Sequence, residues 1–324
     1  MVEKYSFSVC SKKVEFQITL KRNVTVIRGD GGSGKTTLCE MITNSKKTGS
    51  GVHLKSYKLQ VRVLDEDSFN DGLMLMHKNE DIVFVIDEDE SFIKSSEFAE
   101  QVQLTGCYVL LITRENLKCL PCSIHEIYQI ESREDLISNR VIKTMQQLYP
   151  ENIYGRLNHA DAIVTEDLRA GKQFFSRTCN TCAVIPAKSK DNILNLLTTL
   201  TDANVVVVVD GAAFGFVVQD LLKYISGRSV MLYTFESFEY VLLKSGIVDS
   251  LMPADLNIDT PPVDSQLYLT WERYYTQLLE RITQGTVYEY SKEQLAKVYT
   301  QPQNADRVYS VFENMPVNKS LFDF

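Results

Sequence analysis

The chain of 324 residues carries 34 lysines and arginines against 42 aspartates and glutamates, a formal net charge of −8. One hydrophobic core rarely serves a chain of this length, so we expect two domains. The acidic balance disfavours a surface that binds nucleic acid along its whole extent, although a local basic groove stays compatible with it. No apolar run is long enough to cross a membrane and no leader segment is visible, so a cytoplasmic protein without membrane contact is expected.

The first predicted elements are two short strands and a strand–turn–helix unit. Apolar and polar side chains alternate over residues 5–9 and 14–18, which predicts an antiparallel hairpin. A β-branched run at 24–27 then leads into a segment that fits the pattern G-x-x-x-x-G-K-[ST], namely Gly29-Asp30-Gly31-Gly32-Ser33-Gly34-Lys35-Thr36. The amphipathic stretch that follows predicts a helix over 35–44.

The glycine-rich segment predicts a nucleotide-binding P-loop, the Walker A motif. Its glycines let successive backbone N–H groups point at phosphate oxygens, and the following helix adds its N-terminal partial positive charge. Lys35 is then the catalytic group at the β- and γ-phosphates, and the Thr36 hydroxyl is a Mg²⁺ ligand. The alternative is a plain glycine-rich turn that feeds a helix. The residues expected to bind the nucleotide, ATP or GTP, are Gly29, Asp30, Gly31, Gly32, Ser33, Gly34, Lys35, Thr36 and Thr37.

A second motif follows a strand predicted over 59–64. The apolar run 82–86 ends at Asp87 and Glu88, which is the Walker B form of a buried parallel strand. Its end would deliver Asp87 to Mg²⁺, while Glu88 would orient or deprotonate the attacking water. The alternative is a core strand that meets an acidic surface turn.

A third buried strand, predicted over 107–112, ends at Thr113. P-loop ATPases often have a phosphate-sensing polar residue at this position, so Thr113 is a candidate nucleotide-binding residue. A last strand at 125–130 completes a nucleotide domain over residues 1–132. Apolar residues at helical spacing up to Pro150 then predict a connector helix within 133–155.

The first half resembles ABC and RecF-type ATPases, which open with a similar hairpin before the P-loop. The L-S-G-G-Q signature of ABC ATPases is absent from the sequence, so the resemblance implies a minimal form. A small-molecule or nucleotide kinase is the less favoured alternative, because no cluster of lid arginines is visible.

Residues 156–252 restart an alternating strand–helix pattern, with strands predicted at 160–165, 182–186, 204–209 and 229–233. The predicted fold class is therefore α/β, with two Rossmann-like parallel-sheet domains. Glu166 and Asp210 follow two of these strands, at the end where open α/β sheets hold their sites.

This order of elements, with Pro186-Ala-Lys-Ser-Lys after the second strand, resembles the TOPRIM fold of topoisomerases, primases and OLD-type nucleases. The resemblance implies that Glu166 and Asp210 bind Mg²⁺ for phosphodiester chemistry. Asp167 stands where the family has glycine, and Gly211-Ala212 leaves out the second acid of the D-x-D pair. Active nuclease, ligand-binding remnant, and a plain strand-end turn with a helix cap therefore stay open.

The last region, 253–324, predicts a helical extension with an aromatic-rich helix at 266–283, which suits either core packing or a partner interface. The seven cysteines are expected to be reduced in a cytosolic protein. Two C-x-x-C pairs could supply four zinc thiolates, with buried or idle thiols as the default. The pairs are Cys119/Cys122 and Cys179/Cys182.

An ATPase followed by a TOPRIM domain resembles the OLD-type architecture of phage defence. The sequence thus predicts an ATP- and Mg²⁺-binding, ATP-hydrolysing protein whose nucleotide state controls a TOPRIM-like module in phage-defence or mobile-element DNA function. The alternative is a nucleotide-gated regulatory or partner-binding module without nuclease activity. A homo-oligomer or a protein partner is compatible with both.

Overall fold

The computed structural model describes residues 5–29, 34–77, 81–117, 119–166, 168–259 and 270–317, with Lys35 described in its backbone only. The chain divides into two compact units at Pro150 and Glu151. Both are mixed α/β structures with sheets rich in parallel strands, which confirms the predicted class at that level. None of the helices in the described ranges is long and apolar enough to span a membrane.

The first unit is built around one large sheet with helices beside it. In chain order its elements are β1 (Tyr5–Cys10), β2 (Val14–Leu20), β3 (Val24–Ile27), α1 (Lys35–Ser45), β4 (His53–Ser56), β5 (Gln60–Val63), α2 (Phe69–His77), β6 (Ile82–Ile86), α3 (Ser96–Leu104), β7 (Tyr108–Ile112), β8 (Ile127–Asp135) and β9 (Arg140–Gln147).

The strand order of this sheet is β4-β1-β2-β9-β8-β3-β7-β6-β5. Strands β8, β3, β7, β6 and β5 are mutually parallel, and every residue of β3, β6 and β7 is buried. A parallel strand covered on both faces is mostly apolar, which explains the runs in these three segments, and the buried Thr25 of β3 bonds its hydroxyl to Glu126. The hairpin β1–β2 extends the sheet on the far side of β8 and β9.

The connector helix expected within 133–155 is wrong. Residues 127–147 form the antiparallel hairpin β8–β9, whose turn is held by Asp135, which accepts from the Ile137 N–H and the Ser138 hydroxyl. Asn139 has a positive φ of 51° in this turn. Leu136 and Ile137 are 89% and 98% exposed there, so they are not part of a buried helical face. The apolar residues that suggested helical spacing belong to the turn, to β9 and to the residue directly after β9.

The second unit contains a smaller sheet and most of the described helices. Its elements are β10 (Ile153–Tyr154), β11 (Ala162–Thr165), α4 (Ala170–Thr178), β12 (Ala183–Pro186), α5 (Asn192–Thr199), β13 (Val205–Val208), α6 (Gly215–Ile225), β14 (Val230–Tyr233), α7 (Phe238–Lys244), α8 (Trp271–Thr283) and α9 (Pro302–Val311). The sheet order is β10-β14-β13-β11-β12, with only β10 antiparallel to its neighbour among the described pairs.

Helices α8 and α9 belong to the core of the second unit. Their buried side chains join one apolar cluster with α4 and α7, and the aromatic residues of this cluster include Phe174, Phe238, Tyr275, Tyr309 and Phe312. Of the two roles left open for the aromatic helix, the buried face therefore serves core packing. The predicted start of that helix at Gln266 lies outside the described residues.

The cysteines do not all follow the expectation of free thiols. Cys179 and Cys182 form a disulfide in the second unit, so this pair offers no thiolates to zinc. Cys119 is exposed and Cys122 is buried in the first unit. No metal-binding group of three or more acidic, histidine or cysteine side chains is found in the described ranges.

A buried ion pair anchors the first unit. Arg22 Nε lies 3.4 Å from Glu126 Oε1, with side chains 8% and 2% exposed, and the same carboxylate accepts from the Thr25 and Tyr128 hydroxyls. We expect Glu126→Ala to lower the unfolding free energy by about 3–5 kcal/mol, because it leaves the arginine charge buried without this carboxylate. Calorimetry of the full chain measures the loss.

The matched control is Glu115→Ala, which removes the partner of an exposed pair with Lys94 and should cost about 1 kcal/mol or less. Equal losses in the two variants would contradict the structural role of the buried pair.

Candidate functional site

Three adjacent parallel strands place the predicted nucleotide residues at one edge of the first sheet. Ile27 of β3 is opposite Ile112 of β7, and Ile86 of β6 is opposite Leu111. The Thr113 N–H donates to the Ile27 carbonyl at 3.1 Å, which extends this pairing by one residue. Gly29, Asp87 and Thr113 follow these strand ends. Open α/β sheets bind their ligands outside this carboxyl edge.

The start of α1 has the properties of an anion site. Gly34 precedes the helix with a φ of +85° and has no side chain that could cap it. The first turn contains no acidic residue, so its unbonded N–H groups and the positive end of the dipole face no negative side chain of their own helix. Thr36 and Thr37 are exposed in this turn.

Part of the predicted P-loop cannot be placed. Asp30, Gly31, Gly32 and Ser33 lie outside the described residues, as does the side chain of Lys35. Gly29 is described, with a positive φ of 144° and open space where a Cβ would stand.

Lys143 is a second cation at this position that the sequence did not reveal. It projects from β9 so that a Cβ on Gly34 would collide with its Nζ, and its ammonium lies 5.3 Å from the Phe16 ring centroid. Burial lowers the pKa of Lys143. Lys143 lies near Gly34 because β9 pairs in parallel with β2. These segments are far apart in the sequence, so no local sequence pattern predicts the contact.

The residues of the predicted Walker B motif are held by local contacts. Asp87 is half-buried and its Oδ1 accepts from the Glu88 N–H at 2.8 Å. Glu88 Oε1 pairs with Arg114 at 3.1 Å, and Arg114 directly follows Thr113. Thr113 is fully buried, and its hydroxyl accepts from the Glu115 N–H at 3.0 Å, so the hydroxyl proton is left for another acceptor.

Negative charge gathers around Asp87. Burial, together with the charges of Asp87 and Glu90, raises the pKa of the Cys39 thiol in α1 well above its ordinary value. Burial and the neighbouring charges of Asp65, Glu66 and Asp87 likewise raise the pKa of Glu90. A cation at Asp87 would relieve this field. Mg²⁺ commonly takes only one or two carboxylates and completes its shell with water and phosphate, so a single carboxylate such as Asp87 is compatible with that ion.

The second unit brings Glu166 and Asp210 together, as their strand positions suggested. Strands β11 and β13 are adjacent, with Thr165 opposite Val208. The Asp210 N–H donates to Glu166 Oε2 at 3.2 Å, and Asp210 Oδ1 accepts from the Phe238 N–H at 3.1 Å. Each acid therefore has a carboxylate oxygen bonded to the backbone.

Three further residues of this site were missed from the sequence. Lys292 donates to Glu272 Oε1 and lies 3.8 Å from Glu239 Oε1, which also accepts from the Tyr290 hydroxyl at 2.6 Å. Glu239 lies in the first turn of α7, where an acidic side chain is common and does not by itself indicate a site. Nothing local connects Lys292 and Glu272 with it, because they come from the region after 270.

The charges of this cluster act on one another. Burial raises the pKa of Asp210 well above its usual range, and the carboxylates of Glu272, Glu166 and Glu239 act in the same direction, while Lys292 opposes them. Burial acts to lower the pKa of Lys292, but the carboxylates of Glu239, Glu272 and Asp210 outweigh it and raise that pKa. A small cavity of about 30 Å³ adjoins the cluster and is lined in part by Arg169 and Gly171.

Comparison with known proteins gives no match to this chain, whether among protein-family models, curated proteins or solved structures. Its function is therefore argued from the two sites above.

The raised pKa of Asp210 predicts the pH dependence of a neutral variant. Because the folded-state pKa lies above the unfolded one, ionisation of Asp210 costs stability as the pH rises from about 4. Asp210→Asn keeps an oxygen for the Phe238 N–H, so it should raise the Tm at pH 7 to 8, with the gain vanishing below pH ~4. Thermal unfolding in the presence of EDTA measures this.

Asp161→Asn is the control, since bonds from Asn204 lower the pKa of Asp161 in the same unit. Its Tm should fall at pH 7 relative to the parent chain and converge with it in acid. A Tm of Asp210→Asn below the parent at pH 7 would contradict the assignment.

Proposed function

We propose that the first unit binds ATP with Mg²⁺ and hydrolyses it, and that its nucleotide state controls the second unit. The observation that carries this is the common edge formed by the ends of β3, β6 and β7, next to the uncapped start of α1. This edge combines a backbone anion site with a carboxylate, which are the two elements that a nucleotide–Mg²⁺ complex requires.

The proposal assigns each residue a role. The segment 29–37 holds the phosphates, with Lys35 at the β- and γ-phosphates and Lys143 as a second ammonium beside Gly34. Thr36 and Asp87 would hold Mg²⁺, which neutralises phosphate charge when bound. Glu88 accepts the proton of the attacking water while the bond from the γ-phosphorus to the ADP oxygen breaks.

Two contacts of the catalytic edge refine this assignment. Arg114 pairs with one oxygen of Glu88, which fixes the carboxylate and leaves its other oxygen for water. Thr113 would order the loop after β7 from a buried position, since its hydroxyl accepts from the Glu115 N–H and keeps its own proton to donate.

For the second unit, the TOPRIM-like interpretation proposes DNA-related chemistry in phage defence or mobile-element biology. A specific observation favours the alternative of a regulatory or partner-binding module without nuclease activity. Ala212 is buried where the family pattern has its second acid, and Glu166 and Asp210 are already bonded to backbone N–H groups. We therefore propose nucleotide-gated regulation as the second candidate.

Phosphate release from ATP tests the catalytic roles. We expect Lys35→Ala to lose nucleotide binding, and Glu88→Gln to bind ATP normally but release phosphate at least about 100-fold more slowly, since general-base catalysis commonly contributes that much. Glu97→Gln changes an exposed acid of α3 and serves as the matched control. Absence of release from the parent chain, or release at the parent rate in both variants, would refute hydrolysis at this site.

Lys143 offers a separate test of the phosphate site. We expect Lys143→Met to raise the Kd for ATP by roughly tenfold or more, because a charged hydrogen bond is worth about 1.5–3 kcal/mol, while its stem still covers Phe16. Lys143→Arg should restore much of the affinity, and Lys55→Met on β4 should change nothing. Unaltered ATP affinity in Lys143→Met, measured by calorimetric titration, would remove Lys143 from the site.

A further inference from the structure

Four carboxylates of the second unit form one cluster, and a lysine contacts two of them. Glu166 and Asp210 follow β11 and β13, Glu239 lies in α7, and Glu272 lies in the first turn of α8. Glu166, Asp210 and Glu239 line one cavity together with Lys292, which also contacts Glu272. Lys292, 17% exposed, contacts Glu239 and Glu272 from the segment after α8.

One oxygen of each carboxylate in this cluster is bonded to a protein donor. Backbone N–H groups occupy one oxygen each of Glu166 and Asp210, and the Tyr290 hydroxyl and Lys292 occupy one each of Glu239 and Glu272. Glu239 is 1% exposed, and its Oε2 has no hydrogen-bond partner among the described residues. An anionic oxygen in that position requires a nearby positive charge or a bound water.

Lys292 already holds the position of the positive charge between two of these carboxylates. Among the described residues, no group of three or more acidic, histidine or cysteine side chains is arranged to hold a metal ion. Mg²⁺ demands six ligands in near-ideal octahedral geometry, whereas each carboxylate of the cluster has one oxygen bonded to a protein donor. The residues present therefore do not fit the metal that the TOPRIM-like interpretation implies.

We propose that the Lys292 ammonium is the resident cation of this carboxylate cluster, and that it takes the place of a divalent metal so that the site binds neither Mg²⁺ nor Mn²⁺. A lysine supplies positive charge without a coordination shell, and its position on the chain is fixed. This goes beyond nucleotide binding by the first unit and does not depend on it.

Mn²⁺ binding to the full-length protein tests the proposal. All proteins carry Asp87→Asn, which removes the metal ligand of the first unit, and no nucleotide is added. Electron paramagnetic resonance counts bound Mn²⁺, and thermal unfolding records the shift in Tm. We expect the protein that retains Lys292 to bind no Mn²⁺. The Lys292→Met variant should bind about one Mn²⁺ ion per chain, and Mn²⁺ should raise its Tm, because the freed carboxylates then require a cation.

Lys297→Met removes an exposed lysine a few residues away and should acquire no Mn²⁺ site. Two outcomes would overturn the proposal. In the first, the protein that retains Lys292 binds Mn²⁺ and loses this binding in Asp210→Ala. In the second, Lys292→Met folds but binds no Mn²⁺. If Lys292→Met folds only when Mn²⁺ is present, that dependence supports it. Mn²⁺ binding to the protein that retains Lys292 tests the proposal even if Lys292→Met does not fold. ATP hydrolysis is measured separately, in proteins that retain Asp87.

Discussion

In both units, a buried carboxylate must be neutralised by a basic side chain, and the rest of the structure depends on this requirement. Glu126 in the first unit and Glu239 in the second are almost fully buried, and each lies beside one basic side chain and a tyrosine hydroxyl. A buried charge without such compensation would cost several kcal/mol, a large fraction of the stability of a typical domain. The segments that carry Arg22 and Lys292 are thus held in place by electrostatics as well as by apolar packing.

The geometry of the first site follows from backbone register. Parallel strands that are buried on both faces cannot slide past one another without breaking their ladders, so the residues after their ends occupy fixed levels. Thr113 is placed by its own N–H bond to Ile27, and Asp87 by the pairing of β6 with β7. The strand pairing thus fixes the backbone positions of the site, and side-chain contacts such as the ion pair of Glu88 with Arg114 act only on the orientation and charge of the side chains.

Sequence patterns predicted those parts of the structure that are local. The strand before Asp87, the helix after Gly34 and the adjacency of Glu166 with Asp210 all follow from apolar runs and strand-end positions. The pattern within 133–155 predicts a helix where the turn and β9 lie, because the exposed Leu136 and the apolar residues of β9 imitate helical spacing. Lys143 and Lys292 were missed for another reason: each reaches its site from a segment far along the chain, and only tertiary pairing brings them there.

The position of Lys292 late in the chain affects how the second unit is delimited. The alternating strand–helix region ends before 252, yet its deepest acid, Glu239, has its cation and its tyrosine partner beyond residue 289. The α/β region is therefore not an independent domain, because a buried charge within it is neutralised by a residue from a later part of the chain. If the α/β region were fused to another protein without the residues after 252, Glu239 would be buried without its cation. The α/β region and the C-terminal region must therefore be kept together for the second unit to fold stably.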